Sequence, residues 1–181
     1  MEPTQELKEI YNHWLHVDSD IKNHLPRLRA LADDCKTVVE FGARGGLSTS
    51  AFCISNAESV KTYDVQIEPQ IERLVGCCDK LKAYEKNVLE IKPIAKCDLL
   101  FIDTLHTYEQ LSKELALHGN KAQKYLVFHD TATFGDTDEV ETSSKKKGLI
   151  KAISEFMDAN THWTIHQRYE DSNGLLVLIR E

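Results

Sequence analysis

The chain has 181 residues, 41% of them apolar, and a formal net charge of −7. That length suits one domain with one core. No apolar run approaches the roughly 20 residues that span a bilayer, and the acidic balance argues against nucleic acid, which wants a basic face. Five cysteines lack Cys-x-x-Cys metal spacing, and the first residues, Met1 to Leu7, carry no basic-then-apolar leader. Both features fit reduced thiols in a cytoplasmic protein.

The first 34 residues predict a helical cover. Leu7, Ile10, Tyr11, Trp14, Leu15 and Val17 recur at helical spacing. Asp18-Ser19-Asp20 offers caps for a second helix with Ile21, Leu25, Leu28 and Leu31 on one face, Pro26 being a complication. This cover suits a lid or a homodimer contact. Trp14 and Tyr11 read as packing, and His13, His16 and His24 as surface residues.

Thr37 to Val39 is a short apolar run of the kind found in buried parallel strands. Glu40 ends it. A glycine turn follows, Gly42-Ala43-Arg44-Gly45-Gly46, and Ser48 and Thr49 open a helix that runs to Asn56. Strand, glycine turn and helix bring bare backbone close to a ligand. The dinucleotide fingerprint is Gly-x-Gly-x-x-Gly, whereas the pattern here is Glu-x-Gly-x-x-Gly-Gly. A carboxylate at Glu40 repels a diphosphate but can accept from an ammonium group, which favours a ligand with an amino-acid end. The alternative is a tight structural turn.

A second strand, Ser59 to Asp64, ends in an acid 22 residues beyond Gly42. An acid about 20 residues on is placed to take both ribose hydroxyls, with Val65 just past it. Ile67 to Lys82 reads as a helix. Ala83-Tyr84 begins a poor third strand, and Asn87-Val88-Leu89 follows. Cys97 to Asp103 is a strong buried strand, leading through Thr104-Leu105-His106 to a helix over Glu109 to Gly119. Tyr125 to Phe128 is a further strand, ending at His129-Asp130. In open α/β sheets ligands sit at the carboxyl ends of strands, so Glu40, Asp64, Asp103, His106, His129 and Asp130 are expected on one rim. Residues 132–147, acidic and then basic, read as a mobile loop that could close over a substrate. A helix over Gly148 to Ala159 and two strands, His162 to Tyr169 and Gly174 to Ile179, complete the chain around an Asn173-Gly174 turn signal.

The Glu-x-Gly-x-x-Gly turn resembles the first motif of the class I S-adenosylmethionine-dependent methyltransferases, and the element order over roughly residues 20 to 181 is similar to theirs. The resemblance implies an α/β, Rossmann-like, doubly wound and mostly parallel seven-stranded sheet with a C-terminal antiparallel hairpin and N-terminal helices. Val39-Glu-Phe-Gly-Ala-Arg-Gly-Gly-Leu-Ser-Thr-Ser50, Phe101-Ile-Asp-Thr-Leu-His-Thr-Tyr108, Phe128-His-Asp-Thr131 and Gly148-Leu-Ile-Lys-Ala-Ile-Ser-Glu-Phe156 narrow it. Together they resemble the small cephalosporin hydroxylase-type and macrolide-sugar O-methyltransferase group.

The resemblance implies S-adenosylmethionine as cofactor, with Glu40, Gly42, Ala43, Arg44, Gly46, Ser48 and Thr49 at its methionine end. Asp64 and Val65 fall at the ribose, Asn87 and Val88 at the adenine. It implies Asp103 as a metal ligand and His106 as general base, acting on a small hydroxylated acceptor or sugar. The group carries two adjacent acids after the fifth strand, where this chain has His129-Asp130. Asp103 and Asp130 can still hold a divalent cation, magnesium or manganese, with His129 as a nitrogen ligand or a bystander; nitrogen favours the softer ions. Two other readings stand beside this one: a non-catalytic cofactor-binding protein on the same fold, and a nicotinamide-dependent oxidoreductase.

Overall fold

The computed structural model describes residues 2–181. Helix α1, Gln5–Trp14, starts where the Thr4 hydroxyl accepts the Leu7 amide, and it buries Leu7 and Tyr11. It stops one turn short of the apolar spacing, leaving Val17 only part-buried. The caps expected at residues 18–20 do not form. A short 3-10 turn, Lys22–His24, comes first and has no side-chain cap, while Asp20 instead pairs with Arg44 at 3.1 Å. Helix α2, Leu25–Asp33, then holds Pro26 in its first turn, where a missing N–H costs nothing.

Seven strands form one sheet: β1 Thr37–Phe41, β2 Ser59–Asp64, β3 Leu81–Glu85, β4 Cys97–Ile102, β5 Ala122–His129, β6 Trp163–Tyr169 and β7 Leu175–Arg180. Their spatial order is β3-β2-β1-β4-β5-β7-β6. The first five are parallel; β7 enters antiparallel beside β5 and pairs with β6 outside it. Helices α3 Leu47–Ile54 and α4 Pro69–Cys77 lie with α1 and α2 over one face. Helices α5 Tyr108–His118 and α6 Leu149–Ala159 cover the other. Neighbouring strand residues part company accordingly. Val38 and Leu99 enter the first core and Val39 and Leu100 the second, the period of two that a strand buried on both faces imposes.

Helix α4 is shorter than its periodicity suggests. It ends at Cys77, Cys78 is extended (φ −137°, ψ 94°), and Leu81 and Lys82 join β3. Pairing with β2 overrides the helical preference of Leu and Lys there. Val88 and Leu89, just after β3, form a turn. All five cysteines are buried and unbridged. Among the described residues no helix is long and apolar enough to cross a membrane.

Strand order reverses between β1 and β4, whose neighbours lead away in opposite directions. The crevice outside their carboxyl ends is where such sheets bind ligands, and a cavity of about 540 Å³ opens there.

Candidate active site

The glycine turn forms one wall of this cavity. Gly42 has φ +83°, and a Cβ there would lie 1.9 Å from the Asp103 carbonyl oxygen. Only glycine allows β1 and β4 to end so close together. Gly46, at φ +82°, caps α3. In the first turn of α3, Ser48 and Thr49 donate their hydroxyls back to the two oxygens of Glu40, at 2.5 and 2.6 Å. Glu40 is fully buried. Burial pushes its pKa up to about 7 against the pull of those hydroxyls. The sequence placed this carboxylate against an ammonium group. The structure instead puts it beneath the turn, tying the end of β1 to the start of α3. Gly46 and Thr49 share that buried position, while Gly42, Ala43, Arg44 and Ser48 line the cavity.

Asp64, at the end of β2, also lines the cavity. Its Oδ2 accepts the Ala43 and Arg44 amides at 2.8 and 2.9 Å, and Oδ1 accepts Gln66 at 3.2 Å. The acid therefore braces the glycine turn as well as facing the crevice. Val65 stands beside it on the rim, largely exposed. Asn87 and Val88 line the same end, the Asn87 side chain spanning its own turn from the Leu89 amide to Glu90. Tyr63, unmarked in the sequence, lines this end too, stacked on Tyr84 with ring centroids 4.8 Å apart.

At the other end β4, β5 and the 132–147 loop bring five titratable side chains together. His106 Nε2 is 3.1 Å from Asp103 Oδ1 and 3.1 Å from Asp130 Oδ2. His129 Nδ1 is 3.0 Å from Asp130 Oδ2 and 3.4 Å from Asp103 Oδ1. Glu139 completes the group: its carboxylate is 3.0 Å from His106 Nδ1, and its amide donates to the His106 carbonyl at 2.9 Å. Phe134 stacks flat on the His106 ring, with centroids 5.1 Å apart. The 132–147 loop, read from sequence as mobile, is fastened in this structure. Asp138 accepts the amides of Tyr108 and Gly148, both at 2.8 Å, and pairs with Lys147.

Charge explains the cluster. Burial disfavours protonated imidazole, yet the surrounding carboxylates outweigh it, raising His106 above its ordinary value and His129 to about 10. Burial works against ionised Asp103 as well, but the two histidines hold it well below the usual carboxylate range. Buried Asp130 and part-buried Asp103 thus face each other through positive charge.

A divalent cation fits the same place. Asp103, His129 and Asp130 offer ligand atoms that all lie within 4.8 Å of one another. His129 Nδ1 is buried and lacks a hydrogen bond; it is near two carboxylate oxygens, but neither lies along its ring N–H direction. His129 Nε2 faces the Ser172 carbonyl at 3.0 Å. A cation bound here would replace the proton on Nδ1 while the far nitrogen keeps donating to a backbone carbonyl, the arrangement of metal-bound histidines.

His24 corrects another expectation. It is fully buried, lies edge-on to His129 (5.6 Å), and contacts the Asp171 carbonyl and Arg27. Burial lowers its pKa to about 4.

No family model and no curated protein matches the sequence. Solved structures do. A Klebsiella pneumoniae protein provisionally assigned as an O-methyltransferase superposes with a TM-score of 0.69 at 14% identity, over 100% of this chain and 92% of that one. The O-methyltransferase from Bacillus cereus, solved with S-adenosylhomocysteine, gives 0.67 at 14% identity over 98% and 90%. The N-methyltransferase NodS from Bradyrhizobium japonicum, with the same ligand, gives 0.66 at 14% over 98% and 97%. The chain has the class I S-adenosylmethionine-dependent methyltransferase fold.

Proposed function

We propose that this protein is an S-adenosylmethionine-dependent methyltransferase that O-methylates a small hydroxylated acceptor. One observation carries the reading. On this fold a single cavity runs from a glycine turn braced by Asp64 to Asp103, His106 and Glu139, with buried Asp130 behind them in contact with His106. The first end suits an adenosine with an amino-acid tail, the second a hydroxyl that must lose its proton.

The donor supplies a methyl group on a sulfonium, so the leaving group is already good. The protein's work is to place the acceptor oxygen in line and to remove its proton. Gly42 to Arg44 and Ser48 supply the wall at the methionine end, Asp64 accepts from the ribose, and Asn87 and Val88 flank the adenine. Asp103, His129 and Asp130 would hold a divalent cation, which when bound lowers the pKa of a hydroxyl by stabilising its oxyanion. His106 receives the proton at Nε2. Glu139 at Nδ1 and Phe134 on the ring face keep that nitrogen aimed at the acidic pair. Nitrogen at His129 favours manganese over magnesium.

Titration calorimetry with S-adenosylmethionine, with and without manganese or magnesium, tests the reading. Binding at one site supports it, and no binding under any condition overturns it. His106→Ala should retain donor binding and lose turnover by about 10²–10⁴-fold, the usual worth of a positioned base; undiminished turnover removes His106 from that role. A second reading, a cofactor-binding protein without turnover, is favoured by one feature: both ring nitrogens of His106 face carboxylates. Donor binding with no methyl transfer to any hydroxylated acceptor would select it.

A further inference from the structure

The turn between β6 and β7 reaches across the sheet to the cation site. Its residues Ser172, Asn173 and Gly174 all have positive φ, at 47°, 64° and 94°. It docks on the segment that leaves β5: the Asn173 carbonyl accepts the Ala132 and Thr133 amides at 2.9 and 3.2 Å. A Cβ on Gly174 would sit 2.3 Å from the Ala132 nitrogen, so the two segments touch backbone to backbone. Helix α2 and the 3-10 turn before it brace the hairpin turn. Arg27 pairs with the Asp171 carboxylate at 2.8 Å, and His24 Nε2 meets the Asp171 carbonyl at 2.9 Å.

Two groups of this turn contact the candidate ligands. The Asn173 side-chain amide donates to Asp130 Oδ1 at 2.9 Å. The Ser172 carbonyl faces His129 Nε2. Asp130 therefore has its two oxygens sorted: Oδ1 is taken by the amide, and Oδ2 faces the histidines. His129 is sorted the same way, with Nε2 engaged and Nδ1 buried without a hydrogen bond. An amide suits this place because a carboxylate at 173 would set a third acid against Asp103 and Asp130.

We infer that Asn173 is a positioning residue for a divalent cation at Asp103, His129 and Asp130, fixing which Asp130 oxygen is offered while Ser172 fixes the His129 nitrogen. This rests on the cation reading above. Partners in this outer layer typically change metal affinity by about 10–100-fold when removed.

The test is manganese binding to the full chain, followed by loss of the free-ion electron paramagnetic resonance signal, for wild type, Asn173→Gly and Asn173→Asp. Glycine tolerates φ +64°, so Asn173→Gly removes the amide and keeps the turn; Asn173→Asp keeps a side chain that also adopts this conformation. Melting without metal shows that each variant folds, at a lower midpoint because a buried carboxylate loses its donor, and S-adenosylmethionine titration reports the donor site, which neither variant should alter. Asn173→Gly should bind manganese about 10–100-fold more weakly than wild type, and Asn173→Asp, which loses the amide but adds a negative charge beside the ion, should bind it more tightly than Asn173→Gly does. A folded Asn173→Gly that binds manganese as wild type does overturns the role of Asn173 and leaves the cation site standing. Absence of manganese binding by wild type overturns the cation reading, and this inference with it.

Discussion

Between Glu40 and Asp64 the cavity wall is largely main chain. Amides of Ala43 and Arg44 sit on one carboxylate, and two hydroxyls hold a second carboxylate underneath. Between Asp103 and Asn173 the structure is a cluster of side chains, drawn from the ends of β4 and β5, the loops after them and the terminal hairpin. The first half closes within about one βαβ unit, so its geometry follows from a short stretch of chain. The second half depends on contacts spanning the rest of the fold. A cofactor shared by many enzymes can be held by a local motif, whereas acid–base chemistry needs charges that only a folded core brings together.

Gly42 is where the halves touch, and changing it should do the most damage. In Gly42→Ala the new methyl meets the Asp103 carbonyl in a backbone region that L-residues avoid. We expect a loss of about 4 kcal/mol or more in urea unfolding, with donor binding and turnover falling together. Intact stability would mean that the two walls can part without cost.

Glu114 tests the second half. It is fully buried on α5, and its Oε1 accepts from Thr104 and Gln110, both at 2.8 Å, while Oε2 has no partner. Burial raises its pKa from 4.5 to about 7. The folded state thus keeps a proton that the unfolded chain releases near 4.5. The stabilisation is full below that pH and is lost as pH rises through 7, by roughly 3 kcal/mol at most. Glu114→Gln should flatten this fall in a series of melts from pH 4.5 to 8. Glu40 would still contribute the same trend from the first half. An unchanged slope would place the titration elsewhere.

Asp64→Ala separates bracing from binding in the first half. It removes an acceptor of two turn amides and the candidate ribose contact. Donor affinity should fall about 10–100-fold, the range of one charged hydrogen bond, as read by calorimetry. Retained affinity would make Asp64 a brace alone. The smallest effect belongs to Arg44→Ala. Its ion pair with Asp20 joins the N-terminal cover to the turn, but the Arg44 side chain is mostly exposed. A change below about 1 kcal/mol in urea unfolding is expected. A larger one would show that the cover is locked to the cavity through this pair.

The chemistry of the cluster was partly legible in the chain. Asp103, His106, His129 and Asp130 stand at the ends of two apolar strands, and strand ends in such sheets share a rim. Glu139 and Asn173 were not legible as site residues. Glu139 lies 33 residues from His106 and Asn173 lies 43 from Asp130. One sits among several acids in a loop, and the other reads as a turn signal. The same limit applied to His24, whose burial comes from Asp171, 147 residues away.

What the sequence by itself determined is the order of elements and the glycine turn, because hydrophobic period and φ preference are local properties of neighbouring residues. Tertiary structure decided which way each polar side chain faces. Glu40 turned under the helix because Ser48 and Thr49 were there to receive it, and the loop after β5 was pinned because Asp138 met the amides of Tyr108 and Gly148. A buried carboxylate must be satisfied by whatever donors packing brings to it, and those donors are fixed only when the whole chain has folded.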